Sequence, residues 1–388
     1  MTMRVAIITN NYTPYRGGVV SAINVLVTEL QRSNIPVIII TFDFARSNQD
    51  PPWVYRLSSP WHFSYRHNAM IVPWRMRQQM AAIFAAFQPT IVHLHHPFLL
   101  GVVARDIARK ENIPCIFTYH SQYAAFAHFF PLLPAALVRR IIHYYVDTFI
   151  ASIDSLIVPT PSIASQLQQR GIKTAMMIMP TPMQEIFSTI QPTTKQLHAR
   201  ISLLIVTRFT PEKNIWPLLD LIAAHPDFQL TIAGYGELQE ELERYALVHH
   251  RIMPERLRFV IAPSPTELVQ LYQQADIFVF TSLAETQGLV LAESMAGGSP
   301  VVALRAPGAQ DIIIDGYNGF LVDTMAQMAE RIQQIINHPE LYQQLVAGAY
   351  ATARRYHAGD WRERLLHCYQ SIQQKKVPHS MAPFSHNY

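Results

Sequence analysis

The chain has 388 residues, of which 49% are hydrophobic and 15% are charged. This length exceeds one usual hydrophobic core and the composition is that of a folded protein, so two domains are expected. The 2 cysteines are too few for a disulfide framework or a cysteine-rich zinc site, and no apolar run reaches the roughly 18 residues of a membrane-spanning helix.

Charge is divided unevenly along the chain. Residues 1–190 carry 15 lysines and arginines against 8 aspartates and glutamates, whereas the remaining residues carry 16 against 19. We therefore expect the first half to meet an anionic partner. The first residues read as a buried strand and lack the tripartite layout of a signal peptide, which predicts a cytoplasmic protein.

The chain opens with a predicted strand over residues 3–9 and a predicted helix over residues 19–32. A strand, a glycine-containing turn and a helix are typical of a doubly wound domain, in which ligands bind at the carboxyl ends of the strands. Gly17 and Gly18 lie in this turn and would let a ligand approach the backbone closely. Their spacing is not GxGxxG, which disfavours a dinucleotide site of the dehydrogenase kind. An ordinary turn is the alternative.

Four histidines end two further predicted strands. His93, His95 and His96 close one strand, but no fourth-ligand pattern such as HExxH accompanies them, so no metal site is predicted. His120 closes the strand over residues 114–120, at the edge where a ligand is expected. A core histidine with satisfied hydrogen bonds is the alternative interpretation of His120.

Two segments of the first half combine aromatic and basic residues. Residues 46–87 interleave tryptophans with arginines, and residues 123–150 are rich in aromatic side chains. Such segments suit the interface between water and lipid headgroups, although single-stranded nucleic acid would use the same chemistry. Because no RNA-binding motif is present, we predict an anionic membrane surface as the partner and no nucleic acid. An ordinary protein surface and, for the second segment, a core helix are the alternatives. The candidate membrane or acceptor residues are Arg75, Arg77, Tyr123, Arg139 and Arg140.

A second series of strands and helices begins at residue 201. Its first loop holds Arg208 and Lys213, and a bidentate cation beside a point-charge cation matches the geometry of a diphosphate. The next predicted strand leads to Gly234 and Gly236, a glycine pair that is a weak signal by itself.

Glu285 and Glu293 stand eight positions apart around the start of a predicted helix, which returns them to nearly one face. If Gly288 opens the helix, the N–H groups of Gly288, Leu289 and Val290 are unpaired and form an anion site. The carboxylates on either side would accept hydrogen bonds from the sugars that flank a diphosphate. This pattern predicts a nucleotide-sugar pocket, with two solvated glutamates on an ordinary helix as the alternative.

These motifs carry a family resemblance. The two glutamates with the following AGGSPVV, and the Arg-xxxx-Lys-Asn loop at residues 208–214, resemble the donor site of retaining GT-B glycosyltransferases of family GT4. The variant ETQGLV at residues 285–290 resembles the diacylglycerol glucosyltransferase branch. Two positions depart from the pattern: Pro182 replaces a glycine of that branch, and Asp311 replaces a glutamate of the family.

The resemblance implies an α/β fold of the GT-B type, with two doubly wound Rossmann-like domains facing a central cleft. The implied parts are an acceptor domain over residues 1–187, a nucleotide-sugar domain over residues 188–355, a helix over residues 356–373 that returns to the first domain, and a disordered tail over residues 374–388.

The resemblance also assigns roles. His120 would face the donor sugar, and the two cations would hold the diphosphate in place of a metal, since the chain has no Asp-x-Asp pair. The implied catalytic residues are His120, Glu285, Arg208 and Lys213. The implied donor-binding residues are Gly17, Gly18, Arg208, Lys213, Gly234, Gly236, Glu285, Gly288, Leu289, Val290 and Glu293. No metal and no cofactor are expected.

The implied activity is retaining transfer of a hexose from a nucleotide diphosphate sugar, here a UDP-sugar, to a diacylglycerol-like lipid. The protein would lie peripherally on the inner face of the membrane. Three alternatives stay open: a GT4 enzyme of polysaccharide or lipopolysaccharide synthesis, a nucleotide-sugar epimerase, and a non-catalytic nucleotide-sugar binding protein.

Overall fold

The computed structural model describes residues 2–15, 17–43, 50–65, 68–71, 74–130 and 133–376. These residues form two α/β domains, each built around a parallel sheet. The predicted aromatic and basic segments lie partly outside the described residues, at positions 46–49, 66–67, 72–73 and 131–132.

The first domain is built on a seven-stranded parallel sheet. Its strands, with two that lie outside that sheet, are β1 (Val5–Ile8), β2 (Val37–Phe42), β3 (Val54–Leu57), β4 (His62–Tyr65), β5 (Asn68–Ile71), β6 (Ile91–Leu94), β7 (Cys115–Thr118), β8 (Ser155–Val158) and β9 (Met176–Ile178). The sheet order is β3-β2-β1-β6-β7-β8-β9, and β4 pairs with β5 in a separate antiparallel hairpin. β1, β2, β6, β7 and β8 are buried along their whole length, as apolar strands covered on both faces must be.

Six helices belong to this part of the chain: α1 (Gly18–Arg32), α2 (Met76–Phe87), α3 (Leu100–Lys110), α4 (Ala135–Ala151), α5 (Pro161–Gln169) and α6 (Glu185–Ser188). The apolar faces of α2, α3, α4 and α5 share one hydrophobic core with one face of the sheet. The opposite face packs against α1. A 3-10 helix over Tyr123–Phe129 precedes α4, so the aromatic segment is two helices rather than one.

The second domain is built on a six-stranded parallel sheet. Its strands are β10 (Ile201–Arg208), β11 (Phe228–Tyr235), β12 (Leu257–Ile261), β13 (Ile277–Phe280), β14 (Val301–Leu304) and β15 (Gly319–Val322), in the order β12-β11-β10-β13-β14-β15. Its helices are α7 (Trp216–Ala224), α8 (Gln239–Arg244), α9 (Pro265–Gln274), α10 (Leu289–Ala296), α11 (Ala309–Ile312), α12 (Met325–Asn337) and α13 (Pro339–Ala353). α7 and α12 pack on one face of the sheet, and α9 and α10 pack on the other.

The last helix, α14 (Gly359–Lys376), lies against the first domain although it follows the second. The Tyr369 hydroxyl is 2.6 Å from Nδ1 of His93, and the Gln373 amide donates to the Thr90 hydroxyl at 2.7 Å. The helix runs three residues further than predicted, and the rest of the predicted tail, residues 377–388, lies outside the described residues. No helix within the described ranges combines the length and the apolar composition needed to cross a membrane.

Candidate active site

The loops after β10 and β13 meet where the strand order of the second sheet reverses. In the first sheet the order reverses between β1 and β6, and the loop after β1 holds Gly17 while β6 is followed by His95. Ligands of open α/β sheets bind in the crevice at such switch points. The topology therefore brings the predicted residues of both domains to the two sides of one cleft.

An ion pair joins the two loops of the second domain. Nζ of Lys213 lies 2.9 Å from Oε2 of Glu285 and 3.4 Å from Oγ of Ser282. The Lys213 and Glu285 side chains are only 12% and 19% exposed. A lysine ammonium has three donors. Among the residues described, one of them is left without a partner, so Lys213 is held in place while still able to donate to an anion.

Arg208 ends β10 beside this pair. Its guanidinium donates to Oε1 of Glu212 at 3.2 Å, and Tyr15, from the loop after β1, lies close enough to affect its pKa. Burial lowers the pKa of Arg208, but Tyr15 and Glu212 outweigh that effect, and the pKa lies above its usual value. Arg208 therefore stays a cation on the side of the cleft that faces Tyr15 of the first domain. Tyr15 is a site residue that the sequence did not single out.

Gly288 precedes α10 in the left-handed region, with φ of 74°. A Cβ at this position would come within 3.0 Å of the Leu291 side chain, so both the backbone and the packing favour glycine. The helix begins at Leu289, one residue later than predicted, and no side chain caps it. Its first amide groups, including those of Leu289 and Val290, remain available to an anion next to Glu285.

Glu293 lies in α10 and is almost fully buried, and its Oε2 accepts a hydrogen bond from the Tyr272 hydroxyl at 2.9 Å. Burial raises the pKa of Glu293 to about 7, and the hydrogen bond from Tyr272 opposes this rise. The carboxyl is therefore near its titration point at neutral pH. Tyr272, which occupies one of its oxygens, was not predicted.

His120 follows β7 on the opposite side of the cleft. Its Nε2 lies 2.7 Å from Nδ1 of His95, and burial lowers the pKa of His120 to about 3, aided by the neighbouring histidines. The imidazole is thus neutral at physiological pH. The backbone carbonyl of His120 accepts from the Thr286 hydroxyl at 2.6 Å, and the Thr286 carbonyl accepts from the Thr160 hydroxyl at 3.1 Å. The loop between β13 and α10 therefore binds the backbone of His120 directly.

Further hydrogen bonds connect the loop between β13 and α10 to the first domain. The side-chain amide of Gln287 accepts from the Thr181 N–H at 2.9 Å and donates to the Thr181 carbonyl at 2.7 Å. Gln122 donates to the carbonyl of Glu285 at 2.7 Å. Thr286 and Gln287 are both 6% exposed. In the sequence, Thr286 and Gln287 stand out as polar residues between apolar stretches of the glutamate motif. The sequence does not show which residues of the first domain they bind.

Four loop glycines were predicted to bind the donor, and the space around them differs: Gly17, Gly18, Gly234 and Gly236. A Cβ on Gly234 would lie 1.8 Å from the Thr207 carbonyl oxygen, and one on Gly236 would lie 2.4 Å from that of Phe209. Protein packing alone therefore requires Gly234 and Gly236. A Cβ on Gly18 would meet nothing within 4 Å, and one on Gly17 would meet only the Tyr15 ring at 3.4 Å. The space beside these two is open to a ligand.

The histidines of the predicted strand end serve as hydrogen-bond partners. His93 lies between the hydroxyls of Tyr369 and Thr118, and Nδ1 of His96 accepts from the backbone N–H of Asn10 at 3.2 Å. Within the part of the chain that the structure describes, no group of three or more His, Cys, Asp or Glu side chains is arranged to hold a metal ion.

The four arginines predicted to contact a membrane or an acceptor are exposed. The Arg75 guanidinium lies 5.6 Å from the ring centroid of Trp74, which packs edge-on against Trp61, and both tryptophans are exposed. Arg77 forms an exposed ion pair with Asp106.

On α4, Arg139 and Arg140 are exposed beside a row of exposed apolar side chains, Leu137, Ile141 and Tyr144. Tyr123 does not belong to this surface. It is 4% exposed and packs among aromatic rings, so it is not part of an exposed membrane-binding surface, and its alternative role at the acceptor stays a prediction.

The chain is similar to known glycosyltransferases. A family model described as glycosyl transferases group 1 matches residues 190–352, and one described as glycosyltransferase family 4 matches residues 16–183. The alpha-monoglucosyldiacylglycerol synthase of Streptococcus pneumoniae is 29% identical over 336 residues, which cover 82% of this chain and 75% of that protein.

A GDP-mannose-dependent alpha-mannosyltransferase of Mycolicibacterium smegmatis is 25% identical over 337 residues, covering 83% of this chain and 84% of that protein. Among solved structures, the pneumococcal O-GlcNAc transferase GtfA in complex with UDP and GlcNAc superposes with a TM-score of 0.74 at 14% identity, covering 96% of this chain and 99% of that one. At such identity the likeness concerns the fold alone.

Proposed function

Since this chain belongs to glycosyltransferase family GT4 and has the GT-B fold, we propose that it transfers a hexose from a UDP-sugar to a diacylglycerol-like lipid, with retention of anomeric configuration. The observation that carries the proposal is the Lys213–Glu285 ion pair beside the uncapped start of α10. It places a fixed cation, free amide groups and a carboxylate at one point of the cleft.

The diphosphate of the donor is assigned to this point. The α10 N-terminus and Lys213 supply donors from one side, and Arg208 supplies a planar, bidentate cation from the other. Negative charge grows on the diphosphate as it leaves, so these groups stabilise the transition state more than the bound donor. In this proposal they do the work that a metal ion does in other glycosyltransferases.

The two carboxylates are assigned to the sugars on either side of the diphosphate. Glu285 precedes the helix and would accept from hydroxyls of the transferred hexose, whereas Glu293 lies inside the helix and would accept from the ribose. Its Oε1, which Tyr272 does not occupy, is the oxygen left for that contact.

Transfer is proposed to occur on one face of the sugar. The acceptor oxygen bonds to the anomeric carbon as the bond to the phosphate oxygen breaks, and the leaving phosphate takes the acceptor's proton. His120 is neutral in its buried position and would donate a hydrogen bond to a donor-sugar oxygen at the catalytic centre.

The lipid acceptor is supported by the surface of the first domain. The exposed apolar row of α4, with Arg139 and Arg140 beside it, and the exposed Trp61 and Trp74 combine apolar side chains with cations. This combination suits peripheral binding to an anionic membrane such as the inner face of the cell membrane. The named glycolipid synthase of S. pneumoniae supports the same acceptor class.

A direct assay tests both halves of the proposal. The full chain is incubated with radiolabelled UDP-glucose, UDP-galactose or GDP-mannose and with vesicles that contain diacylglycerol in anionic or neutral phospholipid. We expect label in the lipid phase with a UDP-sugar and anionic vesicles. Label transferred only to added soluble or carrier-linked sugars would favour polysaccharide synthesis. Donor breakdown or isomerisation without an acceptor would favour an epimerase.

A further inference from the structure

His95 is buried behind His120. It follows β6, is 2% exposed, and has a ring stacked at 16° and 4.9 Å from the His120 ring. The 2.7 Å contact between His95 Nδ1 and His120 Nε2 contains a single proton, because both rings are neutral at physiological pH. Which ring donates decides which nitrogen of His120 carries its proton.

The surroundings of Nε2 of His95 indicate which nitrogen of that ring carries the proton. Nε2 of His95 is buried and has no hydrogen-bond partner among the described residues. His95 also lines a small cavity of about 20 Å³ together with His93, Thr118 and His120. If His95 donated through Nε2, a buried N–H would lack a protein acceptor, which is a rarer and more costly state than a lone pair without a donor.

The favoured arrangement therefore has the proton of His95 on Nδ1, from which it donates to Nε2 of His120. His120 must then carry its own proton on Nδ1. No described residue accepts from that atom, so it is the nitrogen left for a ligand in the cleft.

We propose that His95 is a positioning residue: it holds the His120 ring in one orientation and in the Nδ1–H tautomer, and so makes His120 a hydrogen-bond donor towards the donor sugar. This inference rests on the proposed role of His120. In the opposite tautomer, Nδ1 would present a lone pair and could only accept a hydrogen bond from a sugar hydroxyl.

The neighbouring His93 provides a matched control. It is equally buried at 2% exposure, and its ring lies 4.5 Å from that of His95. Its nitrogens are bonded to Tyr369 at 2.6 Å and Thr118 at 2.7 Å, and it makes no hydrogen bond to His120. Loss of His93 should cost stability without changing the His120 tautomer.

The experiment compares His95→Asn, His95→Leu, His93→Leu and His120→Ala in the full chain. Long-range nitrogen–proton NMR correlations on protein with nitrogen-15-labelled histidine report which ring nitrogen is protonated, and the signal lost in His120→Ala identifies His120. Initial rates with a radiolabelled UDP-sugar give kcat and KM. In the unmutated protein we expect the His120 proton on Nδ1.

His95→Leu should lower kcat by about 10- to 100-fold while KM changes little, since a loosened ring loses its reactive geometry. His95→Asn can keep an N–H near the position of Nδ1 and should restore most of kcat. His93→Leu should lower the melting temperature but keep kcat within about threefold of the unmutated protein.

Three results would overturn the inference: a His120 proton on Nε2 in the unmutated protein, an unchanged kcat in His95→Leu, or an equal loss of kcat in the His93 and His95 leucine variants. If His95→Leu does not fold, the tautomer of the unmutated protein and the rate of His95→Asn still decide. An unchanged kcat in His120→Ala would instead refute the proposed role of His120 itself.

Discussion

The cleft and the outer surface of the first domain use the same interactions in different surroundings. In the cleft, Lys213 and Glu285 pair at 2.9 Å with side chains 12% and 19% exposed; on the surface, Arg77 and Asp106 pair at 3.3 Å with side chains 61% and 36% exposed. Water and salt screen the surface pair, which should contribute little. The pair in the cleft is therefore largely shielded from solvent, whereas the surface pair is not.

The ion pairs allow the strongest test of this difference. Lys213→Ala should lower kcat/KM by about 100- to 1000-fold, because a preorganised cation at the leaving group is lost. Arg77→Ala, the matched surface variant, should leave initial rates with a soluble, short-chain acceptor unchanged. Activity should also survive a chelator. Full activity of Lys213→Ala, or loss of activity on chelation, would contradict the metal-free mechanism.

Buried Glu293 and exposed Glu111 should differ in how they link the stability of the protein to pH. Burial raises the pKa of Glu293 from 4.5 to about 7 on folding, so the folded state binds its proton more tightly than the unfolded state does. Stability should then fall as pH rises from about 4.5 to about 7 and level off above, by roughly 1–3 kcal/mol.

Glu293→Gln should remove this decline, as measured by denaturant unfolding between pH 5 and pH 8. Glu111→Gln, at an exposed carboxyl of the first domain, should keep it. A decline that persists in Glu293→Gln would show that another group is responsible. The same variant should bind UDP more weakly by roughly 1–3 kcal/mol in calorimetry, because a charged acceptor is lost.

Two glutamines that each bond the backbone of one residue twice sharpen the comparison further. Gln287 exchanges two hydrogen bonds with the backbone of buried Thr181, and Gln79 exchanges two with the backbone of exposed Ser58 and also donates to the Trp74 carbonyl. Gln287→Ala leaves two backbone groups buried without partners and should lower the free energy of unfolding by about 1–3 kcal/mol. Gln79→Ala should cost under about 0.5 kcal/mol, since water replaces it. Equal losses in denaturant unfolding would remove the distinction.

The smallest single effects are expected at the proposed membrane surface. Arg75, Arg77, Arg139 and Arg140 should each contribute about 1 kcal/mol to binding anionic vesicles, and salt should weaken that binding. Sedimentation with vesicles should decrease stepwise as these arginines are replaced by glutamine. Arg258→Gln, at an exposed arginine of the second domain, serves as the control. Vesicle binding that ignores both salt and the four substitutions would exclude this surface.

Family and fold were predictable from the sequence because their signals are local. The apolar strands and the glutamate, arginine and lysine motifs lie within short stretches, and the family models and the fold comparison confirm the predicted family and fold. The segment containing β3, β4, β5 and α2 was not resolved into elements, since its arginines and tryptophans interrupt any simple period.

The contacts of the site were harder to predict for a different reason. Four site residues interact with partners that are 21 to 193 positions away in the chain: Thr286, Gln287, Tyr15 and Tyr272. Only the folded chain brings these partners together. Gly234 and Gly236 are a different case. The sequence analysis predicts that they bind the nucleotide sugar, whereas close packing against the protein backbone is enough to require glycine at both positions.

The return of α14 to the first domain bears on how the protein is made. One core of that domain joins α1 to Leu365, Cys368, Tyr369 and Ile372, all of which belong to α14. A ribosome synthesises this helix only after the whole second domain. The nascent first domain therefore emerges with an apolar face that its own α1 covers only in part, and nearly two hundred further residues must be synthesised before α14 completes the cover. Chaperones have their longest opportunity to bind during that interval.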